Sequence, residues 1–179
     1  EYDDSILLGG SEGALVAAMV ASRSDKVRAV ITLNGGGRFF VDDVFYSMSI
    51  DLPPEAFEQA KQGFLEFKGA IESSESMTLV MSGHGFRWWK SMLAADQTEL
   101  LLSVSAPLLI IQSELDKSVS PKLAYDQARM LMKKRNNVEF RTVKGVDHKF
   151  HDPSGKDRTS EVVSSVKKWL GSSQITSEI

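Results

Sequence analysis

Ser5-Ile6-Leu7-Leu8-Gly9-Gly10-Ser11-Glu12-Gly13-Ala14 is the stretch on which the fold turns. A short apolar run, Ser5 to Leu8, is cut off by Gly9-Gly10. A helix-like segment follows at once over residues 12–23, with Leu15, Met19 and closely spaced alanines suited to packing on a sheet. A G-x-S-x-G placed between strand and helix forces the serine into a strained backbone conformation. Its flanking glycines let strand and helix pass without a Cβ clash. Ser11 would then present its hydroxyl at the sheet's edge, with Gly10 beside it in the pocket and the backbone N–H of Glu12 facing a developing oxyanion. The rival reading is a glycine-rich strand-to-helix turn with an incidental serine.

Downstream, short apolar runs alternate with helix-length segments, the rhythm of a parallel sheet covered by helices. Strands are expected at Val27–Leu33 and over residues 107–112 and 138–143, and helices over 122–134 and 159–170. The stretch 39–99 is rich in helix formers, and Pro53-Pro54-Glu55 reads as a helix start. It is too long for an ordinary connection, so a helical cap over the C-terminal edge of the sheet is expected. Residues 1–38 and 100–171 would then form the α/β core, with a polar tail over 172–179. Gly35-Gly36-Gly37 reads as a flexible exit from the second strand.

A serine hydroxyl is a weak nucleophile without a base, and the base needs an orienting acid. The loop after the third strand holds Ser113-Glu114-Leu115-Asp116-Lys117-Ser118-Val119-Ser120-Pro121. Asp116 is favoured as the acid, and Glu114 is its rival; either could instead cap the helix that follows. Of three histidines, His148 lies in a loop returning to the same sheet edge. His151 reads as structural, and His84 precedes the acid. Ser11, Asp116 and His148 thus follow successive strands in the order serine, acid, histidine.

Composition excludes other classes. The 179 residues are 42% hydrophobic and 25% charged, ordinary values for a globular domain. A net charge of −3 gives no electrostatic reason to expect nucleic acid or an anionic membrane as partner. Lys133-Lys134-Arg135 reads as a solvated helix end. The absence of cysteine removes disulfides, thiolate metal sites and cysteine nucleophiles. No apolar run reaches transmembrane length. The compartment stays open, with the cytoplasm favoured, because any targeting segment could lie upstream of Glu1.

The elbow Gly9–Gly13, the acid loop Ser113–Pro121 and the histidine loop Gly145–Phe150 together resemble those of the α/β-hydrolase superfamily. The likeness is strongest to dienelactone-hydrolase-like and prolyl-oligopeptidase-like serine esterases. Residues 85–91 are similar to a cap-to-core connection of such esterases. The resemblance covers essentially the whole chain and the C-terminal part of the family's fold. It implies an α/β fold with a parallel sheet and helices on both faces. It also implies hydrolysis of a small-molecule ester or related acyl bond through an acyl-enzyme, with no metal or organic cofactor. Phe86, Trp88, Trp89 and Met92 would shape the substrate pocket or form the cap's own core. Strands ahead of the elbow, and with them a second oxyanion donor, are expected from a missing N-terminal half or another chain covering the first strand. Peptidase or thioesterase activity of the same fold, or a non-catalytic binding module, are the alternatives.

Overall fold

A computed structural model describes residues 4–172; the tail expected over 172–179 lies outside them apart from Ser172. In chain order the elements are β1 (Ser5–Gly10), α1 (Glu12–Ala21), β2 (Val27–Leu33), α2 (Phe40–Asp51) and α3 (Pro54–Ser73). They continue as β3 (Val80–Met81), β4 (His84–Gly85), α4 (Phe86–Ala94), α5 (Gln97–Ser103) and β5 (Leu108–Ser113). The last are α6 (Pro121–Lys134), β6 (Val138–Val143) and α7 (Thr159–Leu170).

Four strands form one parallel sheet in the order β1-β2-β5-β6. The middle strands read VRAVITL and LLIIQS, near-continuous apolar runs, because both of their faces are covered. Alternation along them sorts the core into two layers. Val30, Leu108 and Ile110 face α1, α5 and α6 through Ala18, Leu101 and Leu131. Ala29, Ile31, Leu109 and Ile111 face α7 through Val162, Val166 and Trp169. At the sheet's edge, β1 leaves Ile6 and Leu8 more than half exposed (52% and 54%).

β1 runs two residues past the expected break at Leu8, because Gly9 and Gly10 keep the parallel register with Thr32 and Leu33 of β2. Glycine there weakens strand propensity, but the ladder overrides it. The basic end of α6 also differs from expectation. Arg135 is half-buried rather than solvated, and its guanidinium donates to the carbonyls of Leu101 in α5 and of Ala106 beyond it.

Between β2 and α5 the chain builds a third apolar cluster from Ile71, Phe86, Trp89 and Leu93, with Phe40, Phe64 and Phe67 packed against it. The ends of this segment lie side by side. Gln97 N–H donates to the Arg38 carbonyl at 3.0 Å. The Arg38 guanidinium donates to Asp96 Oδ2 at 2.9 and 2.6 Å. No helix among the described residues is long and apolar enough to cross a membrane.

Candidate active site

Ser11 sits between the last residue of β1 and the first of α1, with φ 52° and ψ −124°. L residues rarely adopt this conformation, so the surroundings must hold it. Ser11 N–H donates to the Leu33 carbonyl at 2.8 Å, which extends the ladder through the elbow. Its carbonyl accepts from Ala14 N–H at 2.9 Å and starts the helix. The glycine requirement falls on Gly9, where a Cβ would lie 1.9 Å from the Gly13 carbonyl oxygen. A Cβ on Gly13 would meet open space, so the expected clash relief comes from one flanking glycine only.

His148 brings Nε2 to 3.0 Å from Ser11 Oγ and Nδ1 to 2.8 Å from Asp116 Oδ2. Between the two carboxylates, the geometry separates their contacts cleanly. Asp116 is buried, 1% exposed, and four groups surround it. Its Oδ1 accepts from the N–H groups of Ser118 and Val119, at 2.8 and 3.1 Å. Its Oδ2 accepts from Gln112 Nε2 at 3.0 Å and faces His148. Such saturation holds a buried carboxylate in one orientation. Glu114 instead accepts from Gly145 N–H at 2.9 Å, tying the acid loop to the histidine loop. Ser120 caps α6, accepting from Leu123 N–H.

The remaining histidines have other partners, although His84 lines the cavity that opens over Ser11. His151 bridges to Asp157, and its carbonyl accepts from Asp147 N–H. His84, on β4, stacks on Trp88 with ring centroids 3.7 Å apart. Among the described residues, no group of three or more His, Cys, Asp or Glu side chains could hold a metal ion.

A cavity of about 770 Å³ opens over Ser11 and reaches under α2 and α4. Leu15, Phe40, Val44, Met48, Leu52 and Phe64 give it an apolar wall. Trp88, Trp89 and Met92 also line it, whereas Phe86 and Gly10 lie outside the lining. Phe86 is 8% exposed and belongs to the third apolar cluster. Trp88 Nε1 donates to Glu12 Oε1 at 2.6 Å, so α4 is fastened directly to the residue after the serine.

The prolyl oligopeptidase family matches the sequence over residues 2–173. The chain belongs to that family. A comparison with curated sequences gives no match. Among solved structures, E-2-(acetamidomethylene)succinate hydrolase is 16% identical, with a TM-score of 0.56 over 95% of this chain and 68% of that one. A structure from a study of carboxylesterases of Nitrososphaera gargenis is 14% identical, with a TM-score of 0.57 over 99% and 68%. An esterase of Pyrococcus furiosus is 16% identical, with a TM-score of 0.58 over 94% and 52%. These likenesses speak to the fold, which is that of the α/β-hydrolases. The chain spans between about half and two thirds of the length of these structures.

In this member of the prolyl oligopeptidase family, three supporting residues escape a reading of the sequence alone. Asn34 is 2% exposed and left-handed, with φ 49°. Its amide donates to Ser113 Oγ at 3.1 Å and to the His148 carbonyl at 2.9 Å, and its Oδ1 accepts from Ser113 N–H at 2.7 Å. An asparagine at a strand end ahead of three glycines is a signal for left-handed backbone, but its partners lie 79 and 114 residues away. Gln112 spends its amide N–H groups on Asp116 and the Ser113 carbonyl, leaving Oε1 unpaired among the described residues.

The third is Asp43, on α2. Its Oδ2 accepts from Gly37 N–H and its Oδ1 from Ser120 N–H, both at 2.8 Å. Burial pushes its carboxyl up to about 6; the two N–H groups oppose the rise, and Asp42 and Asp116 add to it. The glycine loop is therefore pinned, not flexible. Gln97 and Gln127 also donate to the Gly37 carbonyl.

Proposed function

We propose that the chain is a serine hydrolase that cleaves a carboxylic ester through an acyl-enzyme. The observation that carries this reading is the continuous hydrogen-bonded line from Ser11 Oγ through His148 to Asp116. Asp116 holds the Nδ1–H tautomer, which leaves Nε2 free to take the Ser11 proton as Oγ attacks the carbonyl carbon. The Glu12 N–H, at the start of α1, stabilises the oxyanion of the tetrahedral intermediate. His148 returns the proton to the departing alcohol. Water then repeats the sequence on the acyl-enzyme and frees Ser11.

In this reading residues 39–96 form a cap, three residues shorter than the expected 39–99 because Gln97–Glu99 open α5, which packs on the sheet. It is fastened at its ends by Arg38 and Asp96 and over the serine by Trp88 and Glu12. The apolar wall suits an apolar acyl group, and the Arg38 guanidinium is already committed to Asp96 rather than to a substrate anion. This reading calls for a second oxyanion donor besides the Glu12 N–H. Without one, turnover is expected to fall by on the order of 10²–10³. The family's own name favours a second reading, cleavage of peptide bonds.

A fluorophosphonate probe tests the nucleophile. Labelling of the full-length protein that disappears in Ser11→Ala supports a serine hydrolase, and an unlabelled wild type refutes it. Parallel assays with p-nitrophenyl esters of rising acyl length and with peptidyl p-nitroanilides separate the ester reading from the peptidase one.

A further inference from the structure

The loop after β5 presents three consecutive N–H groups to two carboxylates. Those of Ser118 and Val119 go to Asp116 Oδ1, and that of Ser120 goes to Asp43 Oδ1. The other Asp43 oxygen takes Gly37 N–H, on the loop leaving β2. Space for that carboxylate is built into the backbone. Gly36 has φ +75°, and a Cβ there would lie 2.1 Å from Asp43 Oδ2. Three residues along the same helix face, the Tyr46 hydroxyl donates to the Asp116 carbonyl at 2.8 Å.

We propose that Asp43 is a positioning residue, which acts through the Ser118–Ser120 backbone to hold Asp116 against His148 and ties that loop to the glycine loop and to α2. This inference rests on the serine-hydrolase reading above. Asp43 touches none of the Ser11, His148 or Asp116 side chains in the bonds just described, so its effect passes through the backbone. Packing alone gives no reason for a carboxylate there, because burial disfavours its charge. An ionised carboxylate offers one acceptor oxygen to each of these two N–H donors, whereas an amide of the same size would set an NH2 donor at one of the two positions.

The groups around Asp43 sharpen the consequence. Its own helix supplies Asp42 and Tyr46, and the acid loop supplies Asp116. Arg38, on the glycine loop, is bound to Asp96, and Lys122 at the start of α6 is bound to Asp126. Protonation below about 6 therefore removes an acceptor that no neighbouring group replaces. The loop carrying Asp116 then loses one of its ties.

The test is the pH dependence of fluorophosphonate labelling and ester hydrolysis by the full-length protein and by Asp43→Asn. The acid limb of the wild-type profile should depend on two protons, one of them that of Asp43. In Asp43→Asn it should depend on one. At pH 7.5 the variant should lose kcat by about 10- to 100-fold, with KM within about threefold of wild type, as for a small misplacement of a reacting group. A single-proton acid limb in the wild type overturns the proposal, and this holds even where the variant does not fold. So does a variant with wild-type kcat. A wild type that reacts with neither probe nor ester overturns the hydrolase reading itself, and this inference falls with it.

Discussion

Asn34→Ala removes in one substitution the side chain that joins the ends of β2 and β5 to the histidine loop. Three hydrogen bonds disappear, to Ser113 N–H, Ser113 Oγ and the His148 carbonyl. Each is buried or half-buried and contributes about 1 kcal/mol net, so their loss costs about 3 kcal/mol. Alanine also fits poorly at φ 49°, where asparagine is tolerated, which adds about 1 kcal/mol. The total is about 4 kcal/mol, or a fall in Tm of about 8–16 °C for a domain of this size. Urea denaturation followed by circular dichroism at pH 7.5 measures it, provided the slope of the transition is unchanged. Asn34→Asp should be at least as damaging, because it sets a carboxylate oxygen against the His148 carbonyl. A loss below about 1 kcal/mol for the alanine variant would refute the reasoning, since it would mean that water replaces these bonds at little cost.

Gly9→Ala drives a Cβ to within 1.9 Å of a backbone oxygen. It should destabilise the fold by about 1–3 kcal/mol or more and abolish probe labelling of Ser11; a folded, labelled variant counts against the steric account of the elbow. Asp116→Asn should lower kcat by about 10³–10⁴ with KM little changed, measured with a p-nitrophenyl ester, because His148 loses the partner that fixes its tautomer. For stability, the sign follows from a folded-state pKa of about 6 for Asp43 against a reference near 3.8. Because desolvation outweighs the two N–H bonds, the group's contribution to global stability is fully present below about 4 and is lost as pH rises through about 6, a decline of about 3 kcal/mol, although the charged form is the one that ties the acid loop. The difference in unfolding free energy between wild type and Asp43→Asn, from urea denaturation, should therefore change by that amount between pH 4 and 7, and a pH-independent difference contradicts it.

The parallel-sheet rhythm was legible wherever local pattern and tertiary packing agree. β6 and α7 occupy the expected residues because their patterns meet the surfaces they bury. Ser11, Asp116 and His148 were legible as a set because each follows a strand and returns to one edge. What escaped the sequence depends on partners far along the chain. Local composition made Gly35–Gly37 look flexible, yet a Cβ on Gly37 would lie 2.8 Å from that of Leu123, so the helix start of α6 dictates glycine there. Asp43 looked like one more residue of a helical insertion. Only the meeting of α2 with two loops gives its carboxylate something to hold. Phe86 and Met92 carry the same apolar signal, and only the packing of α4 assigns one to the interior and the other to the cavity wall.

The bond between Trp88 and Glu12 divides the labour of one residue between its two halves. Every amino acid except proline brings a backbone N–H to position 12, so that donor is kept whichever side chain stands there. The side chain alone grips the aromatic roof. Position 12 is therefore a place where natural drift or a directed library can change how α4 is fastened while keeping a backbone N–H beside Ser11.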